Sequence, residues 1–192
     1  TPDLNQTNDL LNKTRQVLEG GVKLVQYRNK SANESLRREQ AKLLLSLCRE
    51  HNALLIINDH LEIAIEIDAD GVHVGKNDVS VSAAKNQLGQ NQIVGTSCYN
   101  QLDLAMQAQK DGADYIAFGA FFSSLTKPNA VSVSISLVNQ AQKALSIPIV
   151  GIGGIQLTNA RTVIQSGCAA IDVCHDLFQA ENIKATAEHY VQ

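Results

Sequence analysis

Short apolar runs alternate with longer amphipathic stretches along this chain. VKLVQY (22–27), ALLIIN (53–58), GVHV (71–74), QIVGTS (92–97), DYIAFG (114–119), IPIVGI (147–152) and AIDVC (170–174) have the length and composition of strands. Several are near-continuously apolar, as expected of parallel strands covered on both faces. Between them, residues 8–19, 34–50, 60–67, 101–110, 135–144 and 159–166 carry helical patterns, and 182–191 closes the chain with another. Repeated strand–helix units with short links predict a parallel α/β fold. A doubly wound open sheet and a (β/α)₈ barrel share that rhythm. The first strand candidate follows a helix with no strand before it, so the count stops one short of the barrel's eight.

The placement of polar residues favours the barrel. Arg28 and Lys30, Asn58 and Asp59, His73 and Asp78, Ser97, Ser124 with Thr126 and Lys127, Gly153 and Gly154, and His175 sit at or just past the C-terminal ends of successive strands. An open sheet gathers its ligand groups at one switch point, whereas a barrel collects them from every strand. The expectation is therefore a single (β/α)₈ TIM-barrel domain over residues 1–192, with its first strand missing from this chain.

The 192 residues are enough for one substantial core, and 44 % hydrophobic with 18 % charged fits a soluble globular protein. The net charge of −3 argues against a general nucleic-acid binder. No run approaches the roughly 18 apolar residues that a membrane helix needs, and the N-terminus lacks signal-peptide architecture. Cys48, Cys98, Cys168 and Cys174 are scattered without a CxxC pair. They read as reduced thiols of a cytoplasmic protein rather than a disulfide framework or zinc site.

Several stretches carry candidate chemistry, each beside a plainer account. In VQYRNK, Leu24, Gln26, Arg28 and Lys30 would share one strand face, apolar low down and cationic at its tip; a strand emerging into solvent would look the same. In IINDH, Asn58 and Asp59 follow an apolar strand, and Asp59 alone could simply cap the next helix. With Asp78 in the following strand–loop unit, two carboxylates come from neighbouring strand ends. Mg²⁺ takes such oxygens and completes its shell with water and phosphate. Beside Arg28, Lys30 and Lys127 they describe a metal-bridged polyphosphate site. VGIGGIQ places Gly151, Gly153 and Gly154 between a strand and a helix beginning near Thr158, where backbone N–H groups can approach an anion; a tight turn is the alternative. SSLTK (123–127) can grip a phosphate or be an ordinary surface loop. His73, on a strand bounded by glycines, reads as a buried histidine rather than a general base.

Taken in order, VQYRNK, IINDHLEIAIEIDADGVHVGKNDVS, VGTSCYN, DYIAFGAFFSSLTK and IPIVGIGGI resemble the thiamine-phosphate synthase family. The resemblance runs from Val22 to Phe178. It implies a (β/α)₈ barrel that joins a pyrimidinylmethyl diphosphate to a thiazole phosphate with Mg²⁺, releasing pyrophosphate. Position by position it implies Gln26 for the pyrimidine, and Arg28, Lys30 and Asn58 for the diphosphate. Asp59 and Asp78 match the metal ligands, and Ser97 a serine near the reacting centre. Ser124, Thr126 and Lys127 match the phosphate-contacting loop, with Ser97 and Lys127 the candidate catalytic groups. Gly154 matches the backbone donor to the thiazole phosphate.

Three departures stand out. Ser124 replaces a usual threonine. Cys174 and His175 stand where the family has valine and serine, so His175 takes the place of a phosphate-binding serine. The family's first strand, ending in a threonine–aspartate step, is expected to be absent. Two rivals stay open: a thiazole tautomerase, which does not need the diphosphate and metal set, and a phosphate-binding barrel without turnover. A homodimer would be in keeping with the family, with no nucleic-acid or membrane partner.

Overall fold

The computed structural model describes residues 1–122 and 133–192. In chain order the elements are α1 (Thr7–Glu19), β1 (Leu24–Tyr27), α2 (Glu34–Glu50), β2 (Leu54–Asn58), α3 (Leu61–Glu66), β3 (Gly71–Val74), α4 (Val81–Gln87), β4 (Ile93–Tyr99) and α5 (Leu102–Lys110). They continue with β5 (Tyr115–Gly119), α6 (Ile135–Ala144), β6 (Ile149–Ile152), α7 (Leu157–Gln165), β7 (Ala170–Asp172), α8 (His175–Phe178) and α9 (Ile183–Val191). The fold is parallel α/β, as the alternation predicts. The described residues fall into two compact units, Thr1–His73 with Cys174–Gln192, and Val74–Val173.

In the first unit, β1 pairs with β2 in parallel, Tyr27 opposite Ile57, and β2 pairs with β3, Asn58 opposite His73. Leu55, Ile56 and Ile57 are all fully buried, which is why this strand reads as a continuous apolar run. His73 is buried, as expected. α2 starts where the Asn33 side chain accepts a hydrogen bond from the Leu36 N–H at 2.9 Å. Its buried stripe, Gln40, Ala41, Leu44, Leu47 and Cys48, follows helical spacing. α9 lies against α1, where a Cβ on Gly20 would come within 2.4 Å of Ala187 Cβ. Among the described residues no strand precedes α1. Residues 1–3 run along β1 instead: the Thr1 amino group donates to Gln26 O at 2.6 Å, and Thr1 Oγ1 accepts from the Arg28 N–H at 3.1 Å.

In the second unit, β4, β5, β6 and β7 pair successively in parallel. Val94, Ile116, Phe118 and Ile149 are buried there. Gly95 is required by packing, because a Cβ would sit 1.9 Å from the Tyr115 ring. Asp114 ties two elements together, accepting the Val94 N–H at 2.6 Å and pairing with Lys85 at 2.5 Å.

Three elements differ from the sequence pattern: α4, β7 and the short α8. α4 is not foreseen, since only Val81 and Ala84 of its seven residues are buried and the apolar period is too weak to register. β7 ends at Asp172, two residues early, because Cys174 is the N-cap of α8. Among the described residues no helix is long and apolar enough to cross a membrane.

Burial sets an alkaline limit to stability. Cys48 and Cys98 are pushed by burial from an ordinary 9.0 up to about 12, and Tyr27, chiefly by burial, from 10.0 to about 12. Each group is neutral when protonated, so the unfolded chain releases these protons first as pH rises. The stabilisation is full below about pH 9 and is lost between about pH 9 and 12. The urea midpoint is expected to be lower at pH 10.5 than at pH 8; equal midpoints would contradict the burial of these groups.

Candidate functional site

The parallel pairing of β1 with β2 brings together four residues singled out from the sequence. Arg28 and Lys30 leave β1 where Asn58 and Asp59 leave β2. The four line a small pocket with Tyr27, Asn29, Arg37, Ile57 and His60. Asp59 has φ +64°, a left-handed conformation that Asp tolerates better than most residues. Its N–H donates to His73 O at 2.8 Å, while the His60 N–H turns back onto Asn58 O at 2.8 Å. Asp59 is thus held at a sharp turn just past the strand. The cap position of α3 belongs to His60, whose side chain makes no capping bond, so the plainer account of Asp59 as the helix N-cap does not hold.

Two of the pocket's three cations are paired with carboxylates, while Arg37 donates to backbone carbonyls. Lys30 Nζ lies 3.7 Å from Asp59 Oδ2, and Arg28 Nη1 lies 3.2 Å from Asp3 Oδ1. Asp3 also accepts the Lys30 N–H at 3.1 Å. All four side chains keep between 25 % and 61 % of their surface exposed. Such pairs are worth only about 0–1 kcal/mol each, so a multiply charged phosphate can displace them cheaply. The carboxylate of Asp59 and the amide oxygen of Asn58 are hard donors of the kind Mg²⁺ accepts. The cations beside them would repel a bare metal ion, which fits a metal arriving with phosphate oxygens. Among the described residues no three His, Cys, Asp or Glu side chains form a metal-binding group, and a Mg²⁺ that keeps waters and phosphate ligands does not require one.

Gln26 lies half-buried in β1, and its carbonyl accepts from Thr1. His175 is exposed and opens the four-residue α8, just past the end of the last strand. The next residue, Asp176, accepts the Tyr190 hydroxyl at 2.5 Å, which ties α8 to α9.

In the second unit, Asp78 is exposed and its Oδ2 accepts the Gly75 N–H at 2.7 Å, closing the turn after β3. Ser97 is half-buried in β4 at a register shift, so Ser97 and Tyr99 pair with consecutive residues, Ala117 and Phe118, of β5. Tyr99 is left with φ +55° and 41 % exposure. Bulges of this kind re-aim side chains near functional sites. Gly153 and Gly154 follow β6 with φ +93° and +65°. Their N–H groups make no hydrogen bond among the described residues, while Gly153 O accepts from the Phe122 N–H at 3.0 Å and Gly154 O from Asn159 Nδ2 at 3.2 Å. The turn is therefore both tight and rich in donors, so both accounts of these glycines have a physical basis. Ser124, Thr126 and Lys127 lie outside the described residues.

The family model for thiamine monophosphate synthase matches residues 1–177. The chain belongs to the thiamine monophosphate synthase family. The chain is 50 % identical over 190 residues to a thiamine-phosphate synthase of Nitrosomonas eutropha, spanning 99 % of this chain and 90 % of that one. It is 47 % identical over 190 residues to one of Nitrosospira multiformis, spanning 99 % and 81 % respectively. The thiamine phosphate pyrophosphorylase structure from Pyrococcus furiosus superposes with a TM-score of 0.86 at 34 % identity, over 94 % of this chain and 87 % of that one. As a member of this family the chain is an enzyme of thiamine biosynthesis, with a fold of the TIM-barrel-like kind.

Four further residues go unremarked in the sequence: Asn29, Arg37, Gln40 and Tyr99. Asn29 and Gln40 are buried, and Arg37 clasps the pocket loop by donating to Asn29 O at 3.3 Å and Ala32 O at 2.6 Å. Alternation along YRNK puts Asn29 on the inward side with Tyr27, and that was the one available signal. The Gly154 turn yields a prediction. A Cβ there would lie 2.6 Å from Phe122 O in a left-handed conformation. Gly154→Ala is expected to cost roughly 1–3 kcal/mol, read as a lower urea midpoint; an unchanged midpoint would show that the turn relaxes freely.

Proposed function

We propose that this chain couples 4-amino-2-methyl-5-pyrimidinylmethyl diphosphate to a thiazole phosphate, giving thiamine phosphate and pyrophosphate, with Mg²⁺ as cofactor. The observation that carries the proposal is the grouping of Arg28, Lys30, Asn58 and Asp59 about one pocket in a chain of this family. The reaction breaks a carbon–oxygen bond, and its electron pair leaves with the diphosphate. The thiazole nitrogen then supplies a lone pair to the benzylic-type carbon, forming the new carbon–nitrogen bond. Little proton transfer is needed. What lowers the barrel's barrier is fixed positive charge where the departing diphosphate gathers negative charge.

The roles follow residue by residue. Arg28 and Lys30 exchange their weak pairs with Asp3 and Asp59 for diphosphate oxygens. Asn58 donates its amide to the same group, and Gln26 contacts the pyrimidine. Asp59 in the first unit and Asp78 in the second are proposed as metal ligands; the bound Mg²⁺ supplies charge neutralisation to the leaving diphosphate. Ser97 is assigned to the reacting centre. Ser124, Thr126 and Lys127 are assigned to phosphate contacts, with Lys127 steadying the leaving group. Gly154 donates its N–H to the thiazole phosphate, and His175 stands in for the family's serine as a donor to that phosphate. The proposal includes the closed (β/α)₈ barrel that the resemblance implies. A cytoplasmic location and a homodimer are proposed with it.

The deciding experiment combines the protein with both substrates and Mg²⁺. Pyrophosphate release that depends on the thiazole partner is the expected result. Isomerisation of a thiazole precursor alone, or ligand-induced stabilisation without product, would overturn the proposal in favour of a tautomerase or a binding protein. Asp59→Ala, Arg28→Ala and Lys127→Ala are each expected to lower kcat/KM on the order of 100-fold or more, as losing a preorganised charge contact does. Circular dichroism checks that each variant remains folded, and near-wild-type rates in all three would remove the site assignment.

A further inference from the structure

We propose that Gln40, buried in α2, is a positioning residue for diphosphate binding: through Tyr27 and Asn29 it fixes the loop that presents Arg28 and Lys30. The inference rests on the reading above that those two cations grip a diphosphate. Gln40 is fully buried in a stripe that otherwise consists of Ala41, Leu44, Leu47 and Cys48. An apolar residue would fill that place at no polar cost, and burying an amide is tolerable only when it is fully bonded.

The amide is fully bonded. Its Oε1 accepts from the Tyr27 hydroxyl at 2.8 Å and from Asn29 Nδ2 at 3.1 Å. Its Nε2 donates to Leu4 O at 2.9 Å and to Thr7 Oγ1 at 3.5 Å. Asn29 is equally saturated. Its Nδ2 also donates to Leu4 O at 2.9 Å, and its Oδ1 accepts from Ser31 Oγ at 2.9 Å and the Ala32 N–H at 3.1 Å. No hydrogen-bonding position on either amide is left over. Burial raises the Tyr27 phenol to about 12, so it remains a donor at physiological pH.

This network lies directly beneath the cations. Asn29 is the residue between Arg28 and Lys30, and it points inward where they point out. Arg and Lys each lose side-chain rotamer entropy when they grip a ligand, and a mobile backbone would add to what binding must overcome. Loop bonds from Asn29 remove that backbone freedom before the ligand arrives, and the Gln40 amide oxygen takes a hydrogen bond from both Tyr27 and Asn29.

The test titrates inorganic pyrophosphate with Mg²⁺ into this chain by calorimetry, alongside steady-state kinetics. Gln40→Leu and Asn29→Ala are expected to weaken pyrophosphate binding about tenfold, roughly the effect of one lost buried hydrogen bond. They should raise KM for the pyrimidine diphosphate by a similar factor and leave KM for the thiazole phosphate within about twofold. Tyr27→Phe removes a single hydroxyl and should weaken pyrophosphate about threefold; it decides the matter if the other variants do not fold. Leu44→Ala, on the same helix face, should lower the thermal midpoint without changing pyrophosphate affinity. If Leu44→Ala weakens pyrophosphate as much as Gln40→Leu, the effect is general stability and the proposal fails. It also fails if the wild type binds pyrophosphate and every folded variant binds it equally. A wild type that does not bind pyrophosphate would overturn the diphosphate site itself, and this inference with it.

Discussion

The parallel ladder between β1 and β2 is the constraint from which the first-unit site follows. Parallel pairing forces both strands to end at the same edge, so residues just past their C-termini become neighbours although thirty positions separate them in the chain. With Tyr27 opposite Ile57, the next residues on each strand are a cation and an amide, then an amide and a carboxylate. A one-residue slip would turn Val25 and Tyr27 out of the core and carry Arg28 to the buried side. Burial of these two side chains therefore fixes the register, and the register places Arg28, Lys30, Asn58 and Asp59 around one pocket. Packing and ligand chemistry are here two results of the same hydrogen-bonded alignment.

β2, β3 and β5 were legible because each carries consecutive buried residues and is bounded by polar ones. Leu55, Ile56 and Ile57 announce β2, and Asn58 and Asp59 announce its end. α4 was not legible, since two buried residues in seven do not make a period. The pocket's cations and acid were legible as types, because Arg, Lys and Asp are conspicuous against apolar strands. Gln40 was not: glutamine on an amphipathic helix normally belongs to the wet face, and only the positions of Tyr27, Asn29 and Leu4 show otherwise. Tyr99 was hidden for a different reason. A register shift arises between strands and leaves no trace in the run of one strand. The end of β7 was less legible, because β7 is shorter than its apolar run and the chain turns into α8 at Cys174.

The glycines show how far residue type underdetermines role. Gly95 and Gly20 look no different in sequence from Gly153 and Gly154. Gly95 exists for the Tyr115 ring and Gly20 for Ala187, so each answers to a neighbouring side chain. Gly153 and Gly154 adopt left-handed backbone against residues 120–122, and their N–H groups make no hydrogen bond among the described residues.

The internal pairing of Arg28 with Asp3 and of Lys30 with Asp59 has a consequence for selectivity among anions. A monovalent ion reaching this pocket gains one contact and must break another of nearly equal strength, so chloride or a carboxylate gains almost nothing by staying. On the proposed role, a ligand with several negative oxygens would meet both bases at once and replace both ion pairs. On the proposed diphosphate role, the resident acids would thus act as a valence filter, giving small monovalent ions little to gain and favouring a polyanion.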